Sequence, residues 1–203
     1  MNNKALISFV ALFAFTGAVH AAAGNATAGE QKAQACMACH GPGGKSMVPM
    51  FPKLAGQHAS YIAKELADFK AGKTRTDATM APQTAALSEQ DMADLGAYYA
   101  SQAPDIGVAD KEKSKLGKKI FEAGNKISGV SACMACHGPT GSGNPTARFP
   151  RLGGQHATYT IKALKDFRSH VRSNDPGKMM QTVTAHMTDE EIDAVASYIE
   201  GLH

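Results

Sequence analysis

The sequence predicts an all-α protein made of two tandem copies of one helical domain, and three observations carry that expectation. Long segments recur: Cys36-Met37-Ala38-Cys39-His40-Gly41-Pro42 returns as Cys133-Met134-Ala135-Cys136-His137-Gly138-Pro139. Phe51-Pro52-Lys53-Leu54-Ala55-Gly56-Gln57-His58 likewise returns as Phe149-Pro150-Arg151-Leu152-Gly153-Gly154-Gln155-His156. The offset then settles at 100, pairing Met80 with Met180, Ser88 with Thr188 and Tyr98 with Tyr198, a scale that fits a duplicated domain and not a solenoid of short units. The local patterns are helical, and no stretch keeps up the apolar–polar alternation of a strand.

Residues 1–21 read as a cleavable export signal. Lys4 gives a positive start, Ala5 to Val19 form an uncharged apolar run, and Val19 and Ala21 place small residues before a cleavage point,. The run is too short to span a bilayer comfortably, and Ala22 to Gly29 follow it without a basic flank,. Thr27-x-x-Glu30 is expected to cap a first helix leading to the first cysteine motif,. From about His58 to Ala71, Tyr61, Ile62, Leu66 and Phe69 recur at helical spacing,. Ser88-x-x-Asp91 and Thr188-x-x-Glu191 read as capping boxes that open the last helix of each half,. Pro104 and Gly107 mark a linker within Gln102 to Asp110, dividing the mature chain into domains 22–103 and 110–203 around residues 104–109,. Gly117 to Cys133 is nine residues longer than Gly29 to Cys36, which places a surface insertion around Gly124 to Gly129.

Composition narrows the function. The formal charge of +3 falls to +2 without Lys4, and acids and bases are interspersed, so nothing favours nucleic acid,. Aromatics make up 6% and Trp is absent. Two small domains with so few large apolar side chains have thin cores, so another apolar body is expected to fill them.

All four cysteines lie in two Cys-x-x-Cys-His units. Local disulfides or zinc are the ordinary alternatives in an exported chain. Zinc needs four convergent ligands, which two widely separated Cys-x-x-Cys-His units supply poorly. A thioredoxin-like dithiol needs a strand–helix unit, and no strand is expected. A histidine directly after the second cysteine, twice, is the signature of covalent c-type haem. Cys36, Cys39, Cys133 and Cys136 are therefore candidate thioether tethers for two haem c groups, with His40 and His137 as proximal ligands of the iron. Gly44-Lys45-Ser46 is no phosphate loop, because Cys39 occupies the position where that loop needs glycine,.

The distal position decides between electron transfer and ligand chemistry. The internal repeat sorts the ten methionines. Met47 and Met50 lack counterparts, Met92 pairs with Ile192, and Met187 pairs with Leu87, whereas Met37 and Met134 are confined within the tethers. Met80 and Met180 recur, about 40 residues after each haem histidine, and are the candidate sixth ligands. His58 and His156 also pair; a loop or inter-domain hydrogen-bonding role is favoured over ligation. His170, His186 and His203 read as surface residues. Pro52 and Pro150 are candidates to accept from the proximal imidazoles. Arg75 and Arg172 could approach haem propionates or be solvated.

These motifs, with the closing Ser-Tyr-Ile-x-Gly-Leu, resemble the cytochrome c4 family, the di-haem class I cytochromes c, along the whole mature chain. The resemblance implies two tandem cytochrome c-like domains related by a pseudo-twofold, with haems close to the seam. It also implies a non-enzymatic periplasmic carrier, peripheral to the membrane, moving electrons from quinol–cytochrome c reductase-type complexes towards terminal cytochrome oxidases. Met179 beside Met180 departs from the pattern and leaves the choice between those neighbours open. A di-haem peroxidase or a haem-based ligand sensor would need an open haem, and the matching distal positions argue against both.

A pyridine haemochrome assay is expected to give two haems per chain. Cys36→Ala or Cys133→Ala should weaken or lose haem attachment in its own half alone.

Overall fold

The computed structural model describes residues 23–203, all helices, turns and loops apart from three isolated bridges. The expected export signal lies outside these residues. No described helix is long and apolar enough to cross a membrane.

The first half contains α1 (Ala26–Ala33), α2 (Met37–His40), α3 (Ala59–Ala71), α4 (Met80–Thr84) and α5 (Glu89–Ser101). The second repeats the order as α6 (Lys111–Ala123), α7 (Met134–His137), α8 (Ala157–Arg168), α9 (Met179–Thr184) and α10 (Asp189–Glu200). Both expected capping boxes are present: Ser88 accepts from the Asp91 amide and Thr188 from the Glu191 amide, while each acid reaches back to the cap amide. The expected Thr27 cap is corrected. Asn25 caps α1, its side chain accepting from the Ala28 amide, so the helix starts earlier. The Asn25 amide is tied in turn to the Asp94 carboxylate of α5 at 2.8 Å.

In each half the first and last helices cross closely. Gly29 meets α5 so closely that a β-carbon would lie 2.0 Å from the Asp94 carbonyl oxygen, and Gly117 meets α10 with 2.1 Å to that of Ala194. Only glycine permits such an approach, so the repeat keeps it at both crossings. Around these crossings lie two small apolar clusters. Ala33, Ile62, Leu95, Tyr98 and Tyr99 make one; Ile120, Phe121, Val130, Met187, Ile192, Val195, Ile199 and Leu202 make the other. Met92 and Met187 are buried, as the repeat predicts for core residues. The insertion forms a turn closed by the Asn125–Val130 bridge and anchored by Asn125 to Glu191 at 2.6 Å, with Ile127 at its tip 99% exposed.

The halves are joined by a reciprocal clamp. Gln57 Nε2 donates to the Arg151 carbonyl and its Oε1 accepts from the Arg151 amide, both at 2.9 Å. Gln155 does the same to the main chain of Lys53, again at 2.9 Å twice. A carboxamide has one donor end and one acceptor end and so satisfies a residue's amide and carbonyl together. Beside the clamp, His58 Nε2 faces the Ser142 carbonyl at 2.9 Å and His156 Nε2 faces that of Ser46 at 2.8 Å. The repeated Gly-Gln-His is therefore the seam, with like segments exchanged about a pseudo-twofold.

Removing either glutamine strands main-chain groups at a partly buried seam, each costing about 1–3 kcal/mol. Gln57→Ala and Gln155→Ala are each expected to lower the midpoint of denaturant unfolding measurably. The double variant should separate the two unfolding transitions.

Candidate haem sites

The two cysteine motifs have the same local geometry. Each Met-Ala-Cys-His forms a single helical turn, with Cys36 or Cys133 at its N-cap. This puts the two thiols three residues apart and the histidine four after the first cysteine, all on one turn,. No disulfide joins any of the four cysteines. Burial raises the ionisation point of Cys36 and pushes that of Cys133 up to about 11,.

His40 and His137 are buried and their rings are fixed in one sense. His40 Nδ1 meets the Pro52 carbonyl at 2.9 Å, and His137 Nδ1 meets that of Pro150 at 3.0 Å. A carbonyl can only accept, so each Nδ1 carries the proton and each Nε2 keeps its lone pair. Burial holds both imidazoles below the usual histidine range despite the counteracting carbonyl, which keeps them neutral. Phe51 and Phe149 lie edge-on or tilted beside the rings at 6.3 and 6.1 Å. This donor set, a neutral Nε2 beside two thiols on one turn, fits covalent haem.

Met80 begins α4, and Met180 is the second residue of α9. Thr84 and Thr184, both fully buried, bond back to the carbonyls of Met80 and Met180 at 3.2 and 2.8 Å. Met80 and Met180 are half-buried, whereas Met179 is 40% exposed. The short helices pack against α3 and α8, so the repeat places the two methionines equivalently. His170, His186 and His203 are exposed, as expected.

The solvated reading of Arg75 and Arg172 is corrected. Both are buried, stacked over Phe69 and Phe167 at 4.5 and 4.3 Å, and paired with each other as a backbone bridge across the seam. Arg75 donates to the Tyr159 hydroxyl at 3.1 Å and Arg172 to that of Tyr61 at 2.8 Å. Between them lies Glu65, 2.5 Å from Arg75 Nε and 3.0 Å from Arg172 Nη2, and accepting from Asn174 at 2.9 Å. Glu65 has Ala163 as its counterpart, so one carboxylate serves two guanidinium groups. Burial alone would raise its ionisation point, but Arg172, Arg75, Lys64 and Asn174 together hold it below the usual range. Sequence reasoning missed Glu65; the available signal was an acid three residues after Ile62 on the apolar face of α3.

A family model for cytochrome c matches residues 26–103 and 114–203. Cytochrome c4 of Pseudomonas aeruginosa is 48% identical over 202 residues, covering 99% of this chain and 100% of that protein. The chain belongs to the cytochrome c4 family. The crystal structure of reduced recombinant cytochrome c4 from Pseudomonas stutzeri superposes with a TM-score of 0.86 at 46% identity, over 89% of this chain and 100% of that one. A thiosulfate dehydrogenase electron acceptor of Stutzerimonas stutzeri is 38% identical, covering 82% of this chain and 78% of that protein. The chain is thus a di-haem electron-transfer protein with two covalently bound haem c groups, acting with redox partners.

The Glu65 carboxylate has a depressed folded-state pKa, so its contribution is fully present above the ordinary carboxylate value of 4.5 and is lost as pH falls below it,. Glu65→Gln should flatten that acid limb of stability in denaturant titrations across pH. Glu65→Ala leaves two buried cations uncompensated and should cost about 3–5 kcal/mol at neutral pH.

Proposed function

We propose that Cys36 and Cys39 tether one haem and Cys133 and Cys136 the other, with His40 and Met80, and His137 and Met180, as the two axial pairs. Haem so held supplies an iron that gains and loses one electron. The observation that carries the reading is the doubled arrangement of a neutral, carbonyl-fixed imidazole on the same turn as two thiols. The fixed Nδ1–H orients each ring and makes its Nε2 a firmer ligand. Methionine is a soft neutral ligand that raises the reduction potential and closes the iron to exogenous ligands. The half-buried setting of Met180 against the outward Met179 favours Met180.

The mature chain is read as domains 22–103 and 110–203 joined by residues 104–109, exported to the periplasm after cleavage of 1–21. It carries electrons there, without an enzymatic activity of its own, from quinol-oxidising complexes towards terminal oxidases, in peripheral contact with the membrane. The relative named as an acceptor for thiosulfate dehydrogenase supports a dehydrogenase as a further donor class.

The oxidised protein should show methionine–iron charge-transfer absorption from both haems. Met80→Ala and Met180→Ala should each open one iron, lower that haem's potential and let it bind carbon monoxide. If Met179→Ala opens the second iron and Met180→Ala does not, the ligand is the neighbouring residue. Two irons that are open in the native chain would favour a peroxidase or sensor instead.

A further inference from the structure

The two halves match at the residues given a haem role above, but their first helices differ in charge. α6 and the turn after it carry Lys111, Lys113, Lys115, Lys118, Lys119 and Lys126, all exposed. Against Asp110, Glu112 and Glu122 this is an excess of three, equal to the formal charge of +3 on the whole chain, so the rest of the sequence is balanced. The counterpart helix α1 has Lys32 alone, tied to Asp91 at 2.5 Å. Lys111, Lys115, Lys118 and Lys119 share the face of α6 opposite the buried Gly117, Ile120 and Phe121,. Among the described residues, Lys118 alone of the six meets a carboxylate, Glu122 at 3.9 Å. The insertion at the end of α6, which the first half lacks, places the 99% exposed Ile127 directly after Lys126.

Helix stability does not account for this row of cations. Lys111, Lys115 and Lys119 follow one another at four-residue spacing, where like charges repel,. Lys111 and Lys113 stand in the first turn, where the helix dipole favours acids,. Solubility is served by both signs spread over the surface, as in the rest of the chain. We propose that this face of α6 docks on a bilayer of anionic phospholipid, its lysines over the headgroups and Ile127 entering the acyl boundary. The inference rests on the reading above that the chain works in peripheral contact with the membrane, and it assigns that contact to one face of the second half. An acidic protein is the other anionic surface to weigh, but protein interfaces are anchored by arginine and aromatic residues and are poor in lysine. Residues 110–127 contain no arginine, tyrosine or tryptophan, and Phe121 is buried. Lysine is a point charge on a flexible stem, which suits headgroup phosphates that present charge without a fixed shape. An exposed aliphatic tip beside a cation suits the boundary between headgroups and acyl chains. Such contact is reversible, because it is a sum of small charge terms that salt screens.

The test is co-sedimentation of the holoprotein, in about 0.1 M salt, where charges further apart than roughly 10 Å are screened. Vesicles of phosphatidylglycerol with phosphatidylethanolamine are compared with vesicles of phosphatidylcholine alone. Partition onto the anionic vesicles is expected, falling as salt is raised. Lys115→Gln with Lys119→Gln should weaken it about twenty-five-fold, since one lysine near an anionic surface is worth about fivefold. Ile127→Ser should weaken it about tenfold. Lys73→Gln with Lys178→Gln removes the same charge from exposed positions elsewhere and should leave partition unchanged. Haem content and unfolding midpoint should not fall in any variant. Equal losses in the two lysine pairs, or a partition that Lys115→Gln with Lys119→Gln does not alter, would overturn the assignment of this face and leave membrane contact intact. Absence of partition would overturn both the face and the membrane reading while leaving electron carriage untouched. If, in that case, Lys115→Gln with Lys119→Gln slows electron uptake from a detergent-solubilised quinol-oxidising complex, the occupant of the face is an acidic protein surface.

Discussion

The orientation of the two halves rests first on two carboxamides, in a seam that His58, His156, Arg75 and Arg172 also bridge. Gln57 and Gln155 each occupy both main-chain groups of a residue in the opposite half, and those residues, Arg151 and Lys53, directly follow the prolines whose carbonyls fix His137 and His40. The clamp and the imidazole holders are thus one continuous piece of chain. A rotation of one half against the other would disturb the Pro52 and Pro150 carbonyls as well as the seam. Hydrogen bonds to main chain have fixed direction, so the contact specifies a single orientation where an apolar patch would tolerate sliding.

Around that clamp the seam is polar, and its second part carries the charge. Arg75 and Arg172 come from opposite halves and share Glu65, while each tops an aromatic ring of its own domain and bonds a tyrosine of the other. Buried charges need partners, and this cluster uses stacking, hydroxyls, an amide and one carboxylate to supply them. The pairing is reciprocal except at Glu65, whose counterpart is Ala163, and at Asn174, which bonds Glu65 and Asp68 of the first half. Charge is therefore distributed unevenly about an axis that the backbone respects. Tyr99 against Ile199 is a second, apolar-core version of the same asymmetry.

Duplication explains why the sites themselves are so alike. Each haem turn is a helix of four residues, too short to be stable alone, and it is fixed by what flanks it: the glycine crossing before and the proline carbonyl after,. The apolar clusters are small.

The sequence by itself determined the repeat, the two haem turns, the capping boxes at Ser88 and Thr188 and the paired methionines, because each is a local pattern or a comparison of the chain with itself. It also pointed to Gly-Gln-His as an inter-domain contact, since a repeated polar segment with no helical role suggests a symmetric seam. It misplaced the cap of α1: Thr27 and Asn25 are both good caps, and the choice turns on the Asn25 amide reaching Asp94 of α5, distant in sequence. Arg75 and Arg172 look like ordinary surface cations until Phe69, Phe167, Glu65 and the opposing tyrosines are assembled around them. Those partners are brought together only when the helices cross and the halves close, and the environment of a polar group depends on what surrounds it, which only tertiary structure decides.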